Sequence, residues 1–267
     1  MKIQQKQKIK RTLAKIFYPC FQITKLLDKR PKFTILMYHS VNPNHRRSIK
    51  LEKFEQQIEF LTSNYQVSPL KDFFNFNRNS FAVTFDDGYE DNFQYALPIL
   101  KKYNCSTTFF ICTGFVEKEI GITKNGAYEG LNPLSLKQIK EMKKQGIDFG
   151  CHTHSHPILS KLSLEEVKKE IHKSKVILKN ILKDKVKFFA YPQGQIDTFN
   201  KDIILILKEE GFQLACSTIW GSNNKRTDPL ILHRIRIDPE DNLKDFQNKI
   251  EGNWDFIKWF HYLKFFK

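Results

Sequence analysis

The stretch Phe81-Ala-Val-Thr-Phe-Asp-Asp-Gly-Tyr89 constrains this chain more than any other. It opens as an apolar run of aromatic and β-branched residues, the composition of a buried strand, and stops at two adjacent carboxylates followed by glycine. In an extended strand Asp86 and Asp87 point to opposite faces, so both reach one site only if the chain turns there. Gly88 permits that turn because glycine tolerates positive φ. An Asp-Gly pair can equally close a β-hairpin. The residues that follow decide between the two: from Glu90 to Asn104, Phe93, Leu97 and Leu100 recur at helical spacing, which puts the carboxylates on a strand-to-helix loop. In parallel α/β folds that end of a strand is where sites are built.

The rest of the chain keeps the same alternation. Apolar runs predict strands at 33–38, 66–70, 107–112, 147–151, 187–190, 212–217 and 230–237. Helices are predicted over 52–64, with Ser48 as its N-cap and Phe54, Ile58 and Leu61 buried, over 135–145, and over 164–182, where Ser163 and Glu166 have capping-box spacing. Further helices follow at 198–210 and 243–251. Residues 114–134 carry four glycines and Pro133 and read as a long loop that could wall a substrate groove. Persistent βα alternation implies a parallel sheet, closed into a barrel or left open.

A chain of 267 residues suits one sizeable core. The net charge of +15 favours anionic partners, but the lysines are spread along the chain and 24 phenylalanines argue for a packed globule, so nucleic acid is not an expected partner. Five cysteines with no Cys-x-x-Cys pair indicate neither a disulfide framework nor a zinc ribbon, and fit a reducing compartment. The strand-associated cysteines are expected to be small buried apolar residues.

Past the strand at 147–151 comes His152-Thr-His-Ser-His156-Pro157. His152 and His156 stand four apart, close enough for both imidazoles to reach one metal ion, and they fall at the same edge of the sheet as the paired aspartates. Two histidines and one carboxylate leave a zinc-like site open to water and substrate. His154 is then the spare imidazole, and Cys151 faces the other side of its strand.

Thr84-Phe-Asp-Asp-Gly-Tyr89, His152-Thr153 with His156-Pro157, and Phe189-Ala-Tyr-Pro-Gln-Gly194 resemble, in order, the first three motifs of the polysaccharide deacetylase family, carbohydrate esterase family four. The resemblance spans about residues 33 to 237. It implies an irregular (β/α) barrel of about seven parallel strands and a divalent metal, most often zinc, held by Asp87, His152 and His156. It also implies hydrolysis of an N-acetyl group from an amino sugar, with Asp86 as general base toward a metal-bound water. His39 in Tyr38-His39-Ser40 matches a Tyr-His pair of the family and is expected to line the substrate pocket, as are Tyr191, Pro192 and Gly194. A backbone N–H near Tyr191 is the expected donor to the oxyanion. His233, in Leu232-His-Arg234, is the expected general acid, or else it stands where some relatives carry a proline. The chain departs from the pattern at Ala190, where the family often has an arginine that orients the base, and at Gln193, which replaces an aromatic.

The organisation expected is a basic extension over 1–30, a barrel domain over 31–252 and an aromatic, basic segment over 253–267. Residues 1–30 hold nine Lys/Arg against Asp28, and Lys15 and Pro19 interrupt any signal-peptide core. Ile9, Leu13, Ile16 and Phe17 line one side of a basic helix, which suits either a membrane surface or a small docking face. Trp254 to Lys267, aromatic and basic, suits either the headgroup region of a bilayer or core packing of a terminal helix. The expected protein is therefore a metal-dependent N-deacetylase acting on a cell-envelope polysaccharide or its lipid-linked precursor. It would be cytoplasmic and peripheral at the inner membrane face, with secretion or a periplasmic location as the alternative. The competing class is a glycan- or anionic-lipid-binding protein of the same fold without turnover.

Overall fold

Among the described residues every strand runs parallel to its neighbours, and the first meets the last. The computed structural model describes residues 30–117 and 130–255, together with positions 8, 9, 11–13, 16 and 257. In chain order the elements are β1 (Phe33–Tyr38), α1 (Leu51–Asn64), β2 (Gln66–Val67), β3 (Ser80–Phe85), α2 (Leu97–Lys102), β4 (Thr107–Ile111), α3 (Thr113–Val116), α4 (Leu136–Lys144), β5 (Asp148–Cys151), α5 (Leu164–Leu182), β6 (Phe188–Ala190), α6 (Lys201–Glu209), β7 (Leu214–Trp220), β8 (Leu232–Arg236) and α7 (Leu243–Ile250). β1 pairs along its length with β3 and at Leu36 and Met37 with β8, closing a seven-stranded barrel in the order β1-β3-β4-β5-β6-β7-β8. β2 is a two-residue addition on the first residues of β3, ahead of β4 on the same edge.

Because each strand is buried on both faces, alternation divides its side chains between two cores. Ile35, Ala82, Phe110, Leu214 and Leu232 fill the barrel interior, plugged at the starting end of β1 by Phe73 and Phe76, whose rings lie 5.8 and 5.3 Å from that of Phe33. Leu36, Tyr38, Phe85, Phe109 and Phe189 face outward and pack beneath the helices. Cys105, Cys112, Cys151 and Cys216 are free and buried, and Cys151 lies in the outer core, on the face away from the interior.

Helix starts follow the capping chemistry in two of the three expected places. Ser135 and Ser163 each make a full capping box, with Gln138 and Glu166. Ser48 does not cap α1; Lys50 holds that position, and the Ser48 hydroxyl instead meets Ser40 and His45 in a buried polar cluster that includes Asp91. The helical pattern after Gly88 is present but opens with a π-helical turn over Asn92–Ala96. Pro98, just inside α2, has no N–H for a regular i→i−4 bond, which accommodates the wider turn.

At the C-terminal end Lys249 is completely buried. Its Nζ donates to the Arg236 carbonyl and to Asp238 at 2.9 Å each, and to Asp241, with the Trp220 and Trp254 rings 5.8 and 5.3 Å away. Trp254 and Ile257 are themselves core residues, while the aromatic segment from residue 258 lies outside the described residues. Of the basic N-terminal face, Leu13 packs partly on the core, Ile9 and Ile16 are exposed, Phe17 lies outside the described residues, and Arg11 pairs with Asp245. Among the described residues no helix is long and apolar enough to cross a membrane.

Candidate metal centre and active site

The site lies at the ends where β1, β3, β5 and β8 finish. Asp86 N–H donates to the Tyr38 carbonyl at 3.0 Å, carrying the β1–β3 ladder one residue past β3, and the chain then turns through Asp87 at φ +74° and Gly88 at φ +85°. A side chain at residue 88 is disfavoured by that φ, and its Cβ would lie 2.9 Å from Ile111 Cδ1, which would have to shift. The turn breaks the strand alternation, so both carboxylates serve the same end of the barrel.

Asp87 Oδ1 lies 3.5 Å from His152 Nε2 and 3.5 Å from His156 Nε2, and one ligand atom from each of the three residues falls within 4.8 Å of the others. Two ligands about 2.1 Å from one ion in tetrahedral array stand roughly 3.4 Å apart, so the spacing and the buried donor set fit a zinc-like cation. Two further bonds fix the ligands. The Ala190 carbonyl can only accept, so its 2.8 Å contact with His152 Nδ1 places the proton on Nδ1 and turns the Nε2 lone pair toward Asp87. Tyr89 Oη donates to Asp87 Oδ2 at 2.8 Å. Without a cation, burial alone would push the Asp87 carboxyl up, but a protonated His152, hydrogen-bonding to it through Nε2, and the charges of His156 and His39 hold it well below the usual carboxylate range. His156 sits at φ +60°, a left-handed conformation unusual for a histidine and in keeping with a functional turn.

Asp86 is held by a residue that sequence reasoning did not assign. The Arg234 guanidinium makes a bidentate pair with it, Nη1 to Oδ1 and Nη2 to Oδ2, both at 2.7 Å, and gives its remaining bonds to the Ser217 carbonyl at 2.8 Å and Thr84 Oγ1 at 3.3 Å. Arg234 is fully buried over the Phe110 ring. Burial raises the Asp86 pKa, and Arg234 together with the charges of His152 and His39 more than reverses it, so the carboxyl stays ionised. This arginine supplies from β8 what Ala190 lacks on β6. Its signal in the sequence was an arginine inside an otherwise apolar strand, which has to find a buried partner.

His39, at the end of β1, is coupled electrostatically to both aspartates; burial lowers its pKa, with Asp87 and Asp86 pulling the other way. Its carbonyl accepts from Asn92 Nδ2 at 2.9 Å. His154 is spare, as expected, and contacts Thr113 Oγ1 at 3.0 Å.

Two expectations fail on geometry. His233 alternates with Arg234 and shares the outward face of Ile235, its Nδ1 within 3.5 Å of where a Cβ on Gly221 would lie, so it does not face the aspartates. Tyr191 also points outward: its ring stacks on Phe199 at 4.2 Å, its hydroxyl donates to the Leu230 carbonyl, and its N–H is taken by the Cys216 carbonyl at 3.0 Å, so it is not the free oxyanion donor. Pro192 and Gly194 form the turn after β6, where a Cβ at residue 194 would meet Thr218 N at 2.7 Å. The glycine-rich loop expected as a groove wall returns along the Asp-Asp-Gly turn, Glu90 N–H donating to Asn132 O and Leu134 N–H to Gly88 O; residues 118–129 lie outside the described residues.

A family model described as polysaccharide deacetylase matches residues 75–215. The poly-beta-1,6-N-acetyl-D-glucosamine N-deacetylase of Staphylococcus aureus strain MRSA252 is 33% identical over 205 residues, covering 69% of this chain and 67% of that protein. Among solved structures, the Streptococcus pyogenes deacetylase PplD in complex with acetate has a TM-score of 0.71 and 29% identity, covering 83% of this chain and 99% of that one. BC0361, a polysaccharide deacetylase from Bacillus cereus, has a TM-score of 0.70 and 25% identity, covering 83% and 69%.

Proposed function

Because the chain belongs to the polysaccharide deacetylase family, we propose that it hydrolyses the N-acetyl group of an amino-sugar polymer of the cell envelope, releasing acetate and a free amine. The observation that carries this reading is the convergence of Asp87, His152 and His156 beside the arginine-paired Asp86. A divalent cation held by those three ligands, zinc being the first to test, would polarise the acetamide carbonyl and acidify water. Asp86 takes the proton of the attacking water, its lone pairs aimed by the guanidinium of Arg234. As the C–N bond breaks, the leaving nitrogen needs a proton, and we assign that role to His39, which ends β1 and is coupled electrostatically to both aspartates. The relative from Staphylococcus aureus makes β-1,6-linked poly-N-acetylglucosamine the first substrate to try, beside lipid-linked N-acetylhexosamines.

Exhaustive chelation is expected to abolish acetate release from such a polymer, and added zinc to restore it. Unchanged release after chelation, with the absence of metal verified by elemental analysis, would remove the metal reading. The two candidate acids separate cleanly. His39→Asn is expected to lower kcat by about a hundredfold or more, the usual worth of a general acid, with metal content retained, whereas His233→Asn is expected to stay near wild type. The reverse pattern would return the role to His233.

A further inference from the structure

The turn that carries His152 and His156 is costly to hold, since Thr153 at φ +62° and His156 at φ +60° both occupy left-handed conformations that residues with a Cβ avoid. Inside the turn the Thr153 hydroxyl donates to the His152 carbonyl and accepts from His156 N–H at 3.0 Å. On one flank, Gly114 N–H and Cys112 Sγ donate to the His154 carbonyl, at 2.8 and 3.1 Å. On the other flank stands a single charged group. The Glu170 carboxylate, two turns into α5, accepts from His154 N–H at 3.0 Å, Ser155 N–H at 2.8 Å and Ser155 Oγ at 2.7 Å. Three donors from two consecutive residues thus converge on one anion, and the metal-ligand turn is fastened to the longest helix of the fold.

We infer that Glu170 is the positioning residue that sets the affinity of the Asp87–His152–His156 site for its cation, an inference that rests on the metal reading above. It touches neither ligand imidazole. By holding two successive N–H groups it stops the turn from relaxing out of its left-handed conformations, which would swing His156 Nε2 away from Asp87. Its negative charge also favours a cation nearby.

The test is zinc affinity, measured on the purified full chain by competition with a chromophoric chelator, with the melting temperature of the metal-free protein measured in parallel. Glu170→Ala is expected to weaken zinc binding by about 10- to 100-fold, the range found when outer partners of metal ligands are lost. Glu170→Gln keeps an amide oxygen for the two N–H groups but loses the charge and one acceptor, and is expected to fall between the alanine variant and wild type, severalfold weaker than wild type. A merely structural role would lower the melting temperature and leave the zinc affinity of the folded protein alone; that result overturns the inference. If the alanine variant does not fold, the comparison moves to Glu170→Gln and Ser155→Ala. Each removes part of the clasp and is expected to weaken binding by severalfold, and wild-type affinity in both would overturn the inference. Failure of wild type itself to bind zinc would refute the metal reading instead, so the two outcomes remain distinct.

Discussion

Asp86→Asn is expected to cut kcat for acetate release by about three orders of magnitude or more while zinc stays bound, because the change removes the base and none of the three ligands. A non-catalytic binder of this fold would show no such loss of function, so glycan binding measured on the same variant decides between the two classes. The substitution also alters folding energetics. It leaves Arg234 fully buried with its charge uncompensated, and breaking a buried pair from one side commonly costs about 3–5 kcal/mol. Arg234→Met strands the Asp86 charge in the same way and is expected to be destabilising and nearly inactive. The double variant, with both charges of the pair removed together, should be more stable than either single one, a coupling that denaturant unfolding would read directly. Additive losses would mean that the guanidinium and carboxylate act independently. The acid side adds a check on sign. The folded pKa of Asp86 lies below the ordinary 3.8, so the stabilisation from this pair is present above that value and is lost as pH falls below it. Asp86→Asn should therefore flatten the stability profile at its acid end.

Lys249→Met is the second large effect. The ammonium bridges Asp238 and Asp241, and its pKa is raised because those carboxylates outweigh the cost of burying it. Removing it takes the bridging charge out from between two acidic groups beneath Trp220 and Trp254. Asp238 keeps Arg236 Nε at 2.8 Å, but the buried Asp241 loses a direct counter-charge, at an expected cost of about 3–5 kcal/mol. For a chain of this size that corresponds to a fall in melting temperature on the order of 10 °C. Both tryptophans border the lysine, so their fluorescence should shift in the native state as well. A melting temperature within a degree or two of wild type would show that the cluster relaxes freely into solvent.

Much of the architecture was legible because most strands are largely apolar runs ended by a turn signal, and because the site uses short contiguous motifs. The Asp-Asp-Gly turn and the His-x-x-x-His segment each bring their chemistry within a few residues, so spacing alone located them. The partner of Asp86 was not legible for the opposite reason. In Leu232-His-Arg234 two consecutive polar residues compete for the inward position, and the phase is set by pairing with β1 and β7, contacts distant in sequence. Choosing His233 amounted to choosing the wrong face of a strand. Tyr191 differs similarly: its place in the third motif made it an expected lining of the substrate pocket, but it lies on the outer face, where Phe199 and the Leu230 carbonyl take both its ring and its hydroxyl. Ser48 had the composition of a cap without the position, because tertiary hydrogen bonds to Ser40 and His45 drew it away from the helix start.

The seam where β8 meets β1 has a consequence for how the protein is made. Asp86 leaves the ribosome almost 150 residues before Arg234, so a growing chain carries the acid long before its counter-ion exists. Until residues 232–236 dock along Leu36 and Met37, water must solvate that carboxylate, and the nascent barrel has to stay ajar there. Competence for hydrolysis therefore arrives with the final strand and not by degrees.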